Sequence, residues 1–179
     1  MKTMSDHISC VDTNVLIWGI LQEGITEKEK EMIPKAKEFL KSEFDQGKTL
    51  AISIITLAEF MVAIPEKKRN QIHSLFLENF IILPFDYDAA IKAAEIFYQQ
   101  YHTMKSSYVN QRAIIRQDIQ ILASALMHDN VTLTTEDGPF MTLAEKYLQV
   151  QKIPIPASTQ LALFTEEDDL SFQDPNKCN

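Results

Sequence analysis

The sequence predicts a three-layer α/β domain, with a central parallel sheet of about four to five strands flanked by helices. Short apolar runs alternate with longer amphipathic stretches, and such βα alternation favours a parallel sheet whose strand ends meet along one edge. The opening run Ile8-Ser9-Cys10-Val11 reaches Asp12, then Asn14 and a second apolar run. This reads as a buried strand ending at Asp12 and a helix starting near Asn14. The chain has 179 residues, 45% apolar and 23% charged, which suits one globular domain with a sizeable core.

Asn14 suits the N-cap of the first helix, Val15 to Leu21, in which Trp18 belongs to the core. Asp12 at the carboxyl end of a central strand occupies the place where open α/β sheets hold their sites. The plainer alternative is an Asp that helps to cap the helix. After a break at residues 22–24, Thr26-Glu27-Lys28-Glu29 forms a capping box and opens a helix over residues 26–46. Its apolar stripe is Met32, Lys35-Ala36, Phe39-Leu40 and Phe44, and Pro34 is placed to split it in two. Gly47 ends it, and Thr49 to Ser53 reads as the second strand.

Ile55 to Ala63 reads as a helix stopped by Pro65, with Glu59 on a face shared with Ile55, Val62 and Ala63. A carboxylate there is costly unless it is paired or binds a cation; the alternative is an edge position reaching solvent. Glu66 to Asn79 forms an amphipathic helix with Ile72, Leu75, Phe76 and Asn79 along one side. Lys67-Lys68-Arg69 is its solvated start. His73 has no metal-ligand partner at useful spacing and reads as structural.

Phe80 to Phe85 is the third strand, closed by Pro84, and Tyr87 to Tyr101 a helix. Residues 102–110 form a polar loop whose Lys105-Ser106-Ser107 could flank a cleft. Arg112 to His128 is a helix carrying Asp118 on the face of Ile121, Leu122 and Ala125. Val131 to Thr134 is the fourth strand, leading into a polar turn, Thr135 to Phe140, with two acids. Met141 to Leu148 is a short helix and Val150 to Ile155 a last strand. In the tail, Leu161, Leu163 and Phe164 could dock on the body; the acidic remainder reads as partly mobile.

Net charge is −8, but residues 165–179 hold five acids against one base, leaving 20 acids and 16 bases in the body. If four of those acids share one metal site, the remaining body is near neutral. That excludes a protein that grips nucleic acid by bulk charge, so any such contact must be local and metal-assisted. No apolar run reaches the ~18 residues of a membrane span, and the first seven residues lack a signal-peptide core. Cys10 and Cys178 lie near opposite ends; a disulfide framework is improbable and a reducing cytoplasm fits.

Four carboxylates fall at similar places. Asp12 and Asp137 end strands, while Glu59 and Asp118 sit on helices beside the sheet. Clustered carboxylates repel one another unless something positive lies among them, and oxygen-only ligands select hard cations such as Mg²⁺ or Mn²⁺. Such ions lower the pKa of a bound water and stabilise the leaving oxygen of a phosphodiester. A Cys/His zinc set, a Gly-rich phosphate loop and a Gly-x-Ser-x-Gly elbow are all missing.

These residues carry a resemblance to the PIN-domain family, in particular to its VapC-type toxin ribonucleases, over roughly residues 8–155. Val11-Asp12-Thr13-Asn14-Val15-Leu16-Ile17 is similar to the family's opening motif. Ser53-Ile-Ile-Thr56-Leu-Ala-Glu59-Phe60 resembles its Ser-x-x-Thr-x-x-Glu helix. Asp118-Ile-Gln-Ile-Leu-Ala-Ser-Ala-Leu126 resembles its third segment, and Val131-Thr-Leu-Thr-Thr135-Glu-Asp137-Gly-Pro-Phe140 its last. The resemblance implies Asp12, Glu59, Asp118 and Asp137 as the acids, with Thr135 holding the fourth acid or the water. Pro139 stands where many members have a second acid, and Glu136 is the alternative to Asp137. Residues 1–156 then form a PIN-like domain with an inserted helix at 26–46, and residues 157–179 an acidic tail.

The leading reading is a metal-dependent endoribonuclease, and the resemblance implies the toxin of a toxin–antitoxin pair as its role. Asp12, Asp118 and Asp137 would hold Mg²⁺ or Mn²⁺, and Glu59 would be a further ligand or orient the attacking water. The resemblance implies products with a 3′-hydroxyl and a 5′-phosphate, and a homodimer. Asn14 supports the first acid; Arg112 and Arg116, on the helix of Asp118, could touch a backbone phosphate, with plain surface arginines as the alternative. A second reading is a PIN-like interaction module of weak activity whose acidic cleft binds an antitoxin through an Arg or Lys. A haloacid-dehalogenase-like phosphatase would need a second acid two residues after Asp12, where this chain has Asn14.

Overall fold

The structure is a computed structural model that describes residues 7–103 and 112–154, with the side chains of residues 7–100 and 115–154. Five strands, β1 (Ile8–Val11), β2 (Thr49–Ser53), β3 (Ile81–Leu83), β4 (Val131–Thr134) and β5 (Gln149–Gln151), form one sheet in the order β3-β2-β1-β4-β5. All its pairings are parallel, with Cys10 level with Ala51 and Leu133, and Ser53 level with Leu83. The expected three-layer α/β architecture is thus present.

Helices cover both faces because the strand order reverses at β1. The chain first steps from β1 to β2 and β3, then crosses to β4 and β5 on the other side. Right-handed crossovers therefore put the early helices on one face and the late ones on the other. The early set is α1 (Thr13–Leu16), running into a π-helical turn (Ile17–Leu21), then α2 (Glu27–Asp45), α3 (Ile54–Val62) and α4 (Glu66–Asn79). The late set is α5 (Tyr87–Thr103), α6 (Arg112–Leu126) and α7 (Gly138–Ala144). Strand side chains alternate between two cores, as their period of two requires. Val11, Leu50 and Ile52 pack with Trp18, Phe39, Phe60 and Phe76 on the early side. Cys10, Ala51, Leu83 and Leu133 pack with Ile96, Ile119, Leu122 and Phe140 on the late side.

Several boundaries differ from expectation. Asp12, not Asn14, caps α1: its backbone is extended and its carboxylate accepts from the Thr13 N–H at 2.7 Å. The Asp12 N–H also bonds the Thr134 carbonyl at 3.1 Å, carrying the β1–β4 ladder one residue further and holding Asp12 outside the helix. Pro34 does not split α2, because Met32, Ile33, Ala36 and Phe39 pack on both sides of it. The expected capping box of Thr26 and Glu29 is complete. At the far end Phe44 is 57% exposed, and the buried position falls one residue earlier, on Glu43, whose carboxylate meets Lys48 at 2.6 Å.

Residues 138–140 open α7 rather than forming a free turn, since Asp137 caps the helix and Pro139 fits its first turn. The third strand shrinks to Ile81–Leu83, because the Phe80 N–H is spent on the Phe76 carbonyl and Pro84 has none to give. His73 is exposed on α4. Among the described residues no helix is long and apolar enough to cross a membrane. Lys105-Ser106-Ser107, the Arg112 side chain, Ile155 and the segment 157–179 lie outside what the structure describes.

The π turn brings Gly19 against α2: a Cβ there would lie 2.6 Å from Leu40 Cδ1 and 3.2 Å from the Ala36 carbonyl oxygen. A Cβ on Gly138 would meet nothing within 4 Å. Gly19→Ala is therefore expected to destabilise the fold by about 1–3 kcal/mol. Gly138→Ala should be neutral or stabilising by up to about 1 kcal/mol. Urea unfolding of the two variants beside the wild type checks both.

Candidate active site

Parallel sheets of reversing order open a crevice beyond the carboxyl ends of the strands at the reversal, here between β1 and β4. Asp12 follows β1 directly and Asp137 follows β4 by three residues. Glu59 arrives on α3, which leaves the neighbouring β2. Asp118 arrives on α6, two turns into the helix that leads down to β4. The four acids predicted from sequence thus come from four different elements that share one edge.

Two threonines, Thr135 and Thr13, join three of them. The Thr135 hydroxyl donates to Asp12 Oδ2 at 2.8 Å, and its oxygen accepts from the Asp137 N–H at 3.1 Å. Asp137 Oδ1 in turn accepts from the Phe140 N–H at 2.8 Å as the cap of α7. On the other flank the Thr13 hydroxyl donates to Glu59 Oε2 at 2.5 Å. Ser53, which caps α3 through the Ile55 N–H, lies 3.5 Å from Ser124 of α6, so the helices bearing Glu59 and Asp118 also meet through hydroxyls. Among the described residues none donates a hydrogen bond to the Asp118 carboxylate.

The electrostatics follow from this arrangement. Burial pushes the Asp12 carboxyl up to about 6; Thr135 and the Thr13 amide pull it down, while Glu59 and Asp137 push it further up. Burial also lifts Asp118, to about 7, helped by the charges of Asp137, Asp12 and Glu59. Asp118 therefore feels the other three acids, and Asp12 feels Glu59 and Asp137. Cys10, beneath Asp12, is held at about 12 by burial and by that carboxylate, which rules it out as a thiolate nucleophile.

The other expected residues are placed as follows. Glu59 does not share a buried face with Val62 and Ala63, since Val62 is 83% exposed. The buried side of α3 is Thr56 and Phe60, and Glu59 lies at its margin. Asp118 does share its face with buried Ile121, Leu122 and Ala125. Glu136 points away: its Oε1 accepts from the Ile153 N–H at 2.9 Å and anchors the chain after β5. Asn14 sits one residue inside α1. Arg116 lies over the Phe97 ring of α5, 5.3 Å from its centroid. Residues two apart on a helix do not face alike, so Arg116 and Asp118 diverge. Thr13 was not singled out by sequence reasoning, because its partner lies 46 residues away.

An all-oxygen donor set suits a hard divalent cation. Among the described residues, however, no three acidic, His or Cys side chains converge closely enough to enclose an ion. Mg²⁺ is usually held through one or two carboxylates and keeps several waters, so a fully converged cage is not required. Burial weighs against the charged forms of Asp12 and Asp118, and Asp118 has no donor among the described residues to offset it.

Comparison with known proteins gives the family and the fold. A family model described as the PIN domain matches residues 9–146. The fold is similar to VapBC2 from Rickettsia felis, solved bound to a DNA fragment from its promoter (TM-score 0.57, 20% identity, 81% of this chain and 98% of that one). It is also similar to DNA-bound VapBC from Salmonella typhimurium (TM-score 0.55, 16% identity, 83% and 99%). FitAcB from Neisseria gonorrhoeae gives a TM-score of 0.53 at 25% identity over 79% and 95%. No curated protein sequence matches the chain.

Acids whose folded pKa is raised keep a proton that the unfolded chain releases. Stability should therefore fall as pH rises from about 4, through the titrations near 6 and 7, with the penalty complete above them. Asp118→Asn removes one charge of the set. It should raise the Tm of the cation-free protein at pH 8 by about 2–4 °C, the shift expected of ~1 kcal/mol at this chain length. At pH 4 it should change Tm little. Thermal unfolding in EDTA at the two pH values checks the difference.

Proposed function

The chain belongs to the PIN domain family, and from that premise we propose that it is a metal-dependent endoribonuclease hydrolysing RNA phosphodiester bonds. The observation that carries the reading is the electrostatically coupled set of Asp12, Glu59, Asp118 and Asp137 at the crevice between β1 and β4. Asp12 and Asp118 would hold Mg²⁺ or Mn²⁺ with Asp137, and Glu59 would be a further ligand or orient water. The bound cation would supply an acidified water and charge stabilisation for the leaving oxygen.

The protein's own residues do the rest. Thr135 holds Asp12 and fixes the backbone of Asp137, so the ends of β1 and β4 stay in register. Asp137 is oriented by the first turn of α7. Exposed Arg116, released from Phe97, would be free to meet a phosphate. With a near-neutral body, RNA would be held at this site rather than by a broad basic surface. The products would be a 3′-hydroxyl and a 5′-phosphate. The similarity to VapBC and FitAcB structures supports a toxin role with an antitoxin partner, and we extend the reading to a homodimer in the cytoplasm. We assign the site to a domain spanning residues 1–156, with residues 157–179 as an appended acidic tail.

A second reading is favoured by the incomplete convergence of the acids: a weakly active module whose acidic crevice takes an Arg or Lys of a protein partner. Purified wild type, Asp12→Asn and Asp118→Asn should be incubated with single-stranded and structured RNA in Mn²⁺, Mg²⁺ or EDTA. The nuclease reading expects Mn²⁺-dependent cleavage by the wild type, lost in EDTA and reduced in both variants by at least the ~100-fold that supporting residues reach. Equal cleavage by all three proteins would place the activity elsewhere. No cleavage, with no Mn²⁺ binding by calorimetry, would leave the interaction module.

A further inference from the structure

We infer that Thr13 is the positioning residue for Glu59, acting through its hydroxyl; this deepens the nuclease reading and rests on it. Thr13 is the first residue of α1, next to Asp12, and Glu59 lies on α3. A hydroxyl has one proton to give, and here it goes to Glu59 Oε2 at 2.5 Å. A bond this short to a carboxylate is of the strong, charge-assisted kind. It fixes one oxygen of Glu59 and leaves Oε1 as the oxygen that can turn to a cation or a water.

Backbone placement adds weight. The Thr13 N–H donates to Asp12 Oδ1 at 2.7 Å. One residue therefore holds two acids, Asp12 by its amide and Glu59 by its hydroxyl. Packing does little to orient Glu59, because the buried side of α3 is Thr56 and Phe60. A long, half-buried side chain at the margin of a helix has several rotamers open to it. Without the hydroxyl, the charges of Asp12 and Asp118 would drive Glu59 towards solvent.

The test compares Thr13→Val, which keeps the shape and loses the hydroxyl, with Thr13→Ser, which keeps the hydroxyl, and with Glu59→Gln. Mn²⁺ affinity is read by calorimetry, and turnover on a single-stranded RNA oligonucleotide is separated into kcat and KM; Tm controls for folding. Thr13→Val is expected to lose about 10–100-fold in Mn²⁺ affinity or kcat, with KM little changed. Thr13→Ser should stay near the wild type, and Glu59→Gln should be as impaired as Thr13→Val. Adding Thr13→Val to Glu59→Gln should cost nothing further.

Wild-type behaviour of Thr13→Val in both measurements overturns the assignment while the nuclease reading stands. So does equal impairment of the Ser and Val variants, or an unimpaired Glu59→Gln. A wild type that neither binds Mn²⁺ nor cleaves RNA sinks the nuclease reading and this assignment together.

Discussion

Four carboxylates at one sheet edge repel one another, and the local structure is arranged around containing that repulsion. Three of the four are bound to donors that the fold brings to them. Asp12 receives the Thr13 amide and the Thr135 hydroxyl, Glu59 the Thr13 hydroxyl, and Asp137 the Phe140 amide. Two of these donors are amides in the first turns of helices, which carry partial positive charge and lack partners within the helix. Asp118 receives nothing of the kind among the described residues, and burial lifts it furthest, to about 7. The imbalance sets the polarity of the crevice: charge is damped on three sides and left raw on one.

The sheet makes that arrangement possible. Because the strand order reverses at β1, the ends of β1 and β4 are neighbours while their following helices leave to opposite faces. Thr135 can therefore reach across 123 residues of sequence to Asp12. The same reversal brings α3 and α6 towards each other, where Ser53 and Ser124 meet. Dense apolar packing on both faces, with Phe60 and Phe76 on one and Phe140 on the other, holds these polar contacts within a rigid frame.

Much of this was legible in the chain. Period and composition place β2 at Thr49–Ser53, α4 at Glu66–Asn79 and β4 at Val131–Thr134, with the bounds the structure has. Where the reading slipped, tertiary contacts decided between residues of equal propensity. Asp12 and Asn14 are equally good N-caps; the ladder bond from Asp12 to Thr134 selects the first. Glu136 and Asp137 are adjacent acids, and only the position of Ile153 shows that Glu136 is spent elsewhere. Helical periodicity put Glu59 on a buried face, but α3 buries Thr56 and Phe60 and leaves Glu59 at the margin. Thr13 gave no signal, since a hydroxyl beside an Asp is unremarkable until its distant partner is known.

The outer strands of the sheet bear on how the protein meets other molecules. β3 and β5 are each three residues long, and prolines follow them at Pro84 and Pro154. Short edges interrupted by proline offer few free amides for another chain to zip onto. Among the described residues, each edge therefore offers only three residues to an added strand, which disfavours β-type association. The helices and the ends of the strands present more surface than these short edges do.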